Sequence, residues 1–223
     1  MGKILLLRHG ATKGNLEKRY ISSTDEPLLP ESILRIKEQA PCLRNYFGAD
    51  AAGLTVYISP MRRCRETAEL VFPGQVLTTV EHFRECDFGA FEYMNYAELN
   101  GNPDYQRFVD SGGESGFPGG ESKKAFSERV CRAFEKLHLD GDIALVVHGG
   151  TIMAILDRFS DPHGDYYSWQ VPCGSGFIGE WNGVSVSDIR RWDGEAKDNH
   201  DGQYFLQKSS ARSYSTSSGC GFR

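Results

Sequence analysis

Short apolar runs alternating with stretches of helical periodicity predict an α/β protein, a three-layer sandwich with a mostly parallel central sheet flanked by helices. Three observations carry this expectation. The runs at residues 3–7, 54–58 and 143–147 are continuous rather than alternating, as strands buried on both faces are. The segments between them place apolar residues every three or four positions. Two of the runs end in the same way, "LLLRHG" and "LVVHGG", which suits strand ends opening onto a shared crevice.

Taken in order, residues 3–7 form the first buried strand. Residues 32–47 carry Ile33, Ile36, Ala40, Leu43 and Phe47 at helical spacing, with Pro41 expected to kink or split the helix. Residues 54–58 form a second strand and run into "SPMRRCRETAELVF". There Ser59 suits an N-cap, Pro60 the first helical position, and Met61, Cys64, Ala68 and Val71 one apolar stripe. Residues 76–80 read as a third strand, followed by a long irregular region whose glycines, from Gly112 onward, mark a flexible loop. No GK[ST] follows them at P-loop spacing. Residues 121–139 form an amphipathic helix through Phe126, Val130, Ala133, Phe134 and Leu137, and residues 143–147 a fourth strand. Residues 177–181 and 184–189 add two late strands, read as antiparallel, around an Asn182-Gly183 turn. Beyond Lys208 the chain is a low-complexity tail with too little apolar content to pack. One domain over residues 1–208 is expected, with a lid insertion at about 92–120 and a tail at 209–223.

At 223 residues and 39% hydrophobic content the chain can bury one full core. The net charge of −5 gives no general attraction to nucleic acid or anionic membrane, so an anion site must be a local positive focus. No apolar run is long enough to span a membrane, and the protein reads as cytoplasmic. The six cysteines include no CxxC pair, which argues against a zinc knuckle or a disulfide framework. A homodimer is compatible with these numbers.

If the first and fourth strands are neighbours, His9 and His148 face each other across one crevice, with Arg8 beside them. The helix after Ser59 begins at a strand's carboxyl end, so its first turn and its arginines add positive potential. A dianion, above all a phosphate, answers these cations. A metal site is the competing reading; the absence of HxxxH, HExxH or Cys/His clusters and the adjacent arginines weigh against it.

These residues resemble the histidine phosphatase superfamily, which includes the phosphoglycerate mutases. "LLRHGATKGN" looks like its RHG(E)TxxN motif, which would make His9 the phosphorylated nucleophile and Arg8 and Asn15 phosphate ligands. "SPMRRCRETA" resembles SPLxRAxxTA and selects Arg63, rather than Arg62 or Arg65, as the phosphate-binding arginine. "FRECDFGAFE" is similar to LREIxFGxWEG and nominates Glu85 as proton donor over its neighbours Asp87 and Glu92. "VVHGG" supplies His148, with Gly149 beside the phosphate. Ser22, Ser32 and Tyr93 depart from the family pattern at non-catalytic positions.

The resemblance implies a phosphoglycerate mutase-like fold and a metal-independent phosphomonoesterase that needs no cofactor and acts on a small phosphorylated metabolite. The segment at 95–122 resembles the lid of α-ribazole phosphatase-like members, which act late in cobalamin assembly, so α-ribazole 5′-phosphate is one expected substrate. Mutase-type transfer and a non-catalytic phosphate-binding role are the alternatives. Mutases of the family carry an LNERHYG-type segment that this chain lacks. Lys13, Arg19, Arg84 and Arg107 are candidates for a substrate's second anionic group, and Tyr93, Tyr105 and Phe117 for setting specificity.

Overall fold

The computed structural model describes residues 1–48, 51 and 53–193, so the tail expected at 209–223 lies outside the described residues. Its strands are β1 (Gly2–Arg8), β2 (Thr55–Ile58), β3 (Leu77–Thr79), β4 (Ile143–Val147), β5 (Gly176–Trp181) and β6 (Val186–Trp192). They form one sheet in the order β3-β2-β4-β1-β5-β6. The first four are mutually parallel; β5 and β6 join antiparallel beside β1. The apolar runs are continuous because each central strand feeds two cores. In β1, Ile4 and Leu6 enter one buried cluster and Leu5 and Leu7 the other. In β4, Ile143, Leu145 and Val147 go one way, and Ala144 and Val146 the other.

The helices are α1 (Lys13–Leu16), α2 (Pro30–Phe47), α3 (Arg62–Val71), α4 (Pro103–Asp110), α5 (Lys123–Glu135) and α6 (Gly149–Phe159). Helices α2 and α3 cover one face through Ile36, Leu43, Cys64, Ala68 and Val71. Helices α5 and α6 cover the other through Phe126, Val130, Phe134, Ile152 and Ile155. This is the expected three-layer sandwich.

Three local expectations need correction, and one helix was not foreseen. Pro41 neither splits nor ends α2, because it lies on the exposed face, where the carbonyl it leaves without an amide partner meets water. Ser59 does not cap α3: the helix begins at Arg62, after Pro60 and Met61, and the Ser59 hydroxyl points elsewhere. Inside the supposedly irregular region, α4 starts on an Asn102 side chain that accepts from the amides of Asp104 and Tyr105, with Pro103 in the first turn. Its apolar residues Tyr105, Phe108 and Val109 lie at helical spacing, but none of them is fully buried. Helix α6 follows the second histidine directly; its Ile152, Ile155 and Leu156 are buried at helical spacing.

Candidate active site

The parallel pairing of β1 with β4 sets Arg8 opposite Val147, so the residues that follow, His9 and His148, emerge side by side. The His9 amide donates to the Val147 carbonyl at 2.9 Å and the two imidazoles meet edge to face with centroids 5.1 Å apart. His9 Nδ1 lies 2.7 Å from the Gly10 carbonyl. A carbonyl only accepts, so Nδ1 carries the proton and Nε2 presents its lone pair. Burial, then the charges of Arg63 and Arg8, hold His9 well below its usual protonation range. His148 is lowered in the same sense by burial and Arg63.

Two imidazoles held neutral carry a stability signature. Once the pH drops under the ordinary histidine value of about 6.5, the unfolded chain binds more protons than the folded one. Stability is therefore full above that pH and falls as the pH is lowered toward the depressed folded values, with a slope approaching about 2.7 kcal/mol per pH unit for two groups. Thermal unfolding between pH 7.5 and 5.5 checks this. A flat profile would mean that the rings are not held neutral.

Arg63 is 1% exposed, and its guanidinium donates to the carbonyls of Thr24 at 2.9 Å and Ser22 at 3.1 Å. The Glu92 carboxylate organises that loop by accepting from the amides of Ser22 and Thr24 and from the Thr24 hydroxyl. Arg8 donates to the Val171 carbonyl at 2.7 Å. Among the described residues neither guanidinium has a carboxylate partner. In both, the buried Nε–H has no acceptor among the described residues. Uncompensated buried charge and unmade hydrogen bonds are costly, and an anion between the two would relieve both. Arg62 pairs with Glu66 and Arg65 reaches the Thr79 hydroxyl on the exposed side, which leaves Arg63 as the inward arginine of this turn.

Ser59 supplies a contact that sequence reasoning missed. Its Oγ lies 2.7 Å from His148 Nε2, and its other contact is a long one from the Met61 amide, itself a donor. Were Nε2 protonated, the buried hydroxyl would face two donors with only the weakly accepting Cys64 sulfur near the ring. With Ser59 donating to Nε2, the His148 proton sits on Nδ1, 3.5 Å from the donor-only Arg63 Nη2, so these two donors have no acceptor in each other. Nδ1–H is thereby available to an anion held by Arg63. Ser59→Ala is expected to lower kcat/KM by roughly 10- to 100-fold, the scale of one misdirected donor, and Ser59→Thr to restore most of it. Equal rates for wild type and Ser59→Ala would contradict the assignment.

Glu85 is half-buried; its two oxygens accept from the Cys86 amide at 3.0 Å and the Gly150 amide at 3.2 Å. Only glycine permits that approach, since a Cβ on Gly150 would sit 2.3 Å from Glu85 Oε1. The neighbouring Gly149 lies against Arg8, where a Cβ would come 3.4 Å from the guanidinium carbon. As the first residue of α6, Gly149 also has an amide with no intrahelical acceptor. Residues 148–150 thus gather His9, Arg8 and Glu85 in succession. Arg129, paired with Glu121, steadies the Glu85 loop by donating to the carbonyls of His82, Arg84 and Glu85.

The rival carboxylates have other employment. Glu92 holds the Ser22–Thr24 loop, as described, and Asp87 is exposed and accepts from the Gly89 amide. Asn15 closes a capping box on α1, its Oδ1 accepting from the Thr12 amide and hydroxyl, which leaves its amide hydrogens as donors. Thr67 accepts from the Gly10 amide at 2.9 Å and so fixes the turn after His9. The four cations suggested for a second anion all have carboxylate partners: Lys13 with Glu17, Arg19 with Glu17 and Glu98, Arg84 with Glu81, and Arg107 with Asp104.

A neutral imidazole beside two guanidiniums that lack carboxylate partners, with a carboxylate at the next helix start, is chemically suited to phosphoryl transfer, and comparison with known proteins gives the family. The family model described as "Histidine phosphatase superfamily (branch 1)" matches residues 4–183. An uncharacterized phosphatase of Bacillus subtilis, PhoE, is 27% identical over 165 residues, covering 72% of this chain and 78% of PhoE. A probable phosphoglycerate mutase of Salmonella paratyphi B, GpmB, is 30% identical over 141 residues; the match covers 60% of this chain and 61% of GpmB. A crystal structure from Thermus thermophilus, that of the protein TTHB049, superposes with a TM-score of 0.65 at 30% identity, covering 85% of this chain and 98% of that one. The structure of a candidate alpha-ribazole-5'-P phosphatase from Escherichia coli reaches a TM-score of 0.75 at 22% identity over 86% of this chain and 95% of that one, a likeness of fold. The matched span takes in every residue of the constellation from Arg8 to Gly150, and the chain belongs to the histidine phosphatase superfamily (branch 1).

Proposed function

We propose that the protein hydrolyses phosphate monoesters of small metabolites through a phosphohistidine at His9, without a metal. The observation that carries this reading is the pair of buried, acceptorless Nε–H groups of Arg8 and Arg63 flanking an imidazole whose Nε2 is unprotonated. In the first step His9 Nε2 attacks phosphorus, the P–N bond forms, the P–O bond to the alcohol breaks, and Glu85 gives its proton to the departing oxygen. In the second, Glu85 takes a proton from water as the water oxygen attacks phosphorus and the P–N bond breaks, which regenerates both groups. Arg8, Arg63, the Asn15 amide and the His148 Nδ1–H hold the equatorial oxygens through both steps. The guanidiniums neutralise the phosphoryl charge as a metal ion would, and would repel a cation placed between them.

The acid is tested by leaving-group dependence. Glu85→Gln is expected to slow phosphoenzyme formation from alkyl phosphates by ~100-fold or more, whereas p-nitrophenyl phosphate, whose phenolate departs unaided, loses much less at that step. Burst-phase kinetics must separate this step from hydrolysis of the phosphoenzyme, which needs a base for both substrates. An equal loss in the burst for both would remove Glu85 from the role. Turnover across α-ribazole 5′-phosphate, phosphoglycerates, sugar phosphates and phosphoserine separates hydrolysis from mutase transfer, in which a second substrate hydroxyl takes the place of water. The α-ribazole ester belongs in that panel because of the lid resemblance and the fold likeness to the Escherichia coli protein.

A further inference from the structure

We propose that the leaving-group side of the site is an aromatic box, which selects phosphate monoesters of aromatic or bulky apolar alcohols over esters carrying a second anionic group. This rests on the hydrolytic reading above. The general acid must reach the departing oxygen, so the alcohol lies on the side of Glu85. The segment leaving Glu85 carries Phe88, whose ring meets Tyr20 at 5.1 Å and Phe117 at 4.9 Å; Tyr20 and Phe117 are themselves 5.8 Å apart. All three are half-buried, while Phe91, Tyr105 and Phe108 back them.

This wall is tied to the chemistry by the backbone. Two residues beyond Tyr20, the Ser22 carbonyl accepts from Arg63 and its hydroxyl lies 3.3 Å from the Glu85 carbonyl. Phe117 is brought in by a glycine-mediated dock of the lid on the segment after Glu85. The amide of Ala90 bonds the Pro118 carbonyl at 2.8 Å, and a Cβ on Gly120 would lie 2.2 Å from the Asp87 carbonyl. Of the residues suggested from sequence, Tyr105 and Phe117 belong to this cluster. Tyr93 does not: its hydroxyl bonds Glu26 and its ring lies under Arg19.

The arginines around the box are already engaged. Besides the paired Arg19, Arg84 and Arg107, Arg129 is held by Glu121 at 2.7 Å, and the Lys123 ammonium sits over the rings of Tyr166 and Tyr167 at 4.1 and 5.0 Å. A substrate carboxylate or second phosphate reaching one of these arginines would have to displace its carboxylate partner. An aryl or bulky apolar group gains edge and face contacts and loses water.

Non-hydrolysable phosphonates test this on the full chain by calorimetry, independently of turnover. Benzylphosphonate is expected to bind roughly 10-fold or more tightly than methylphosphonate, from burial of one ring, and phosphonoacetate no more tightly than methylphosphonate. Phe117→Leu and Tyr20→Leu should each shrink the benzyl-to-methyl ratio. Tightest binding of phosphonoacetate, equal binding of the benzyl and methyl compounds, or variants that weaken both equally would overturn the aromatic box while leaving the phosphate site standing. Binding of none of the three would overturn the phosphate site, and the box with it.

Discussion

His9→Ala is expected to lower turnover of every phosphomonoester by at least ~10⁴-fold, because no other group can form the P–N bond and the residual rate comes only from the surrounding donors. The physical basis is the single open nitrogen: Nδ1 is committed to the Gly10 carbonyl, so Nε2 is the nitrogen free to attack in the proposed mechanism, and the ring is held neutral by burial and by Arg63 and Arg8. The substitution should leave the fold intact. It also removes one of the two imidazoles that resist protonation, so the loss of stability below about pH 6.5 should become shallower in His9→Ala than in wild type. Steady-state kinetics and thermal unfolding across pH read the two effects separately. Retained turnover, or an unchanged pH slope, would each contradict the role assigned to this ring.

Arg63→Met is expected to cost on the order of 10³-fold in kcat/KM, the scale seen when a preorganised donor to a developing charge is removed. The effect is large because Arg63 is buried, lacks a carboxylate, and has an Nε–H with no acceptor until an anion arrives. Stability should change less than this rate. The variant leaves the Ser22 and Thr24 carbonyls without a donor, but it also removes an uncompensated buried charge, and the two act in opposite directions. Wild type should be stabilised by inorganic phosphate or vanadate in thermal unfolding, and Arg63→Met should lose most of that response. Arg63→Lys should not rescue it, since an ammonium cannot span two carbonyls and the anion at once. A full anion response in Arg63→Met would move the phosphate site elsewhere.

The sheet was legible because β1 and β4 feed cores on both faces, which demands the unbroken apolar runs that mark buried parallel strands. The two histidines were legible for a related reason: strand ends in such sheets open on the ligand crevice, and neighbouring parallel strands align their ends. Arg63 needed the family resemblance, as three arginines share the turn and only packing separates the buried one from Arg62 and Arg65. Local signals also misled. "SP" reads as a helix start, yet Ser59 serves His148 across 89 residues of sequence, a demand no local rule contains. Helix α4 has an Asn102-Pro103 start and Tyr105, Phe108 and Val109 at helical spacing, but its eight residues are short and flanked by glycines, and the region read as irregular. The Ser22 and Thr24 carbonyls that clamp Arg63 were invisible because backbone acceptors carry no residue-type signature. Glu92 differed from Glu85 only in what its oxygens meet, loop amides in one case and the start of α6 in the other.

The most direct measurement is rapid quenching of the wild-type protein during turnover of a phosphomonoester, with the modified residue and ring nitrogen identified by peptide mapping and phosphorus NMR. A phosphoenzyme that is acid-labile and base-stable, with the phosphoryl group on Nε2 of His9, is the expected result. A phosphoryl group on another residue or on Nδ1 of His9, or turnover with no phosphoenzyme within the first cycle, would contradict the account.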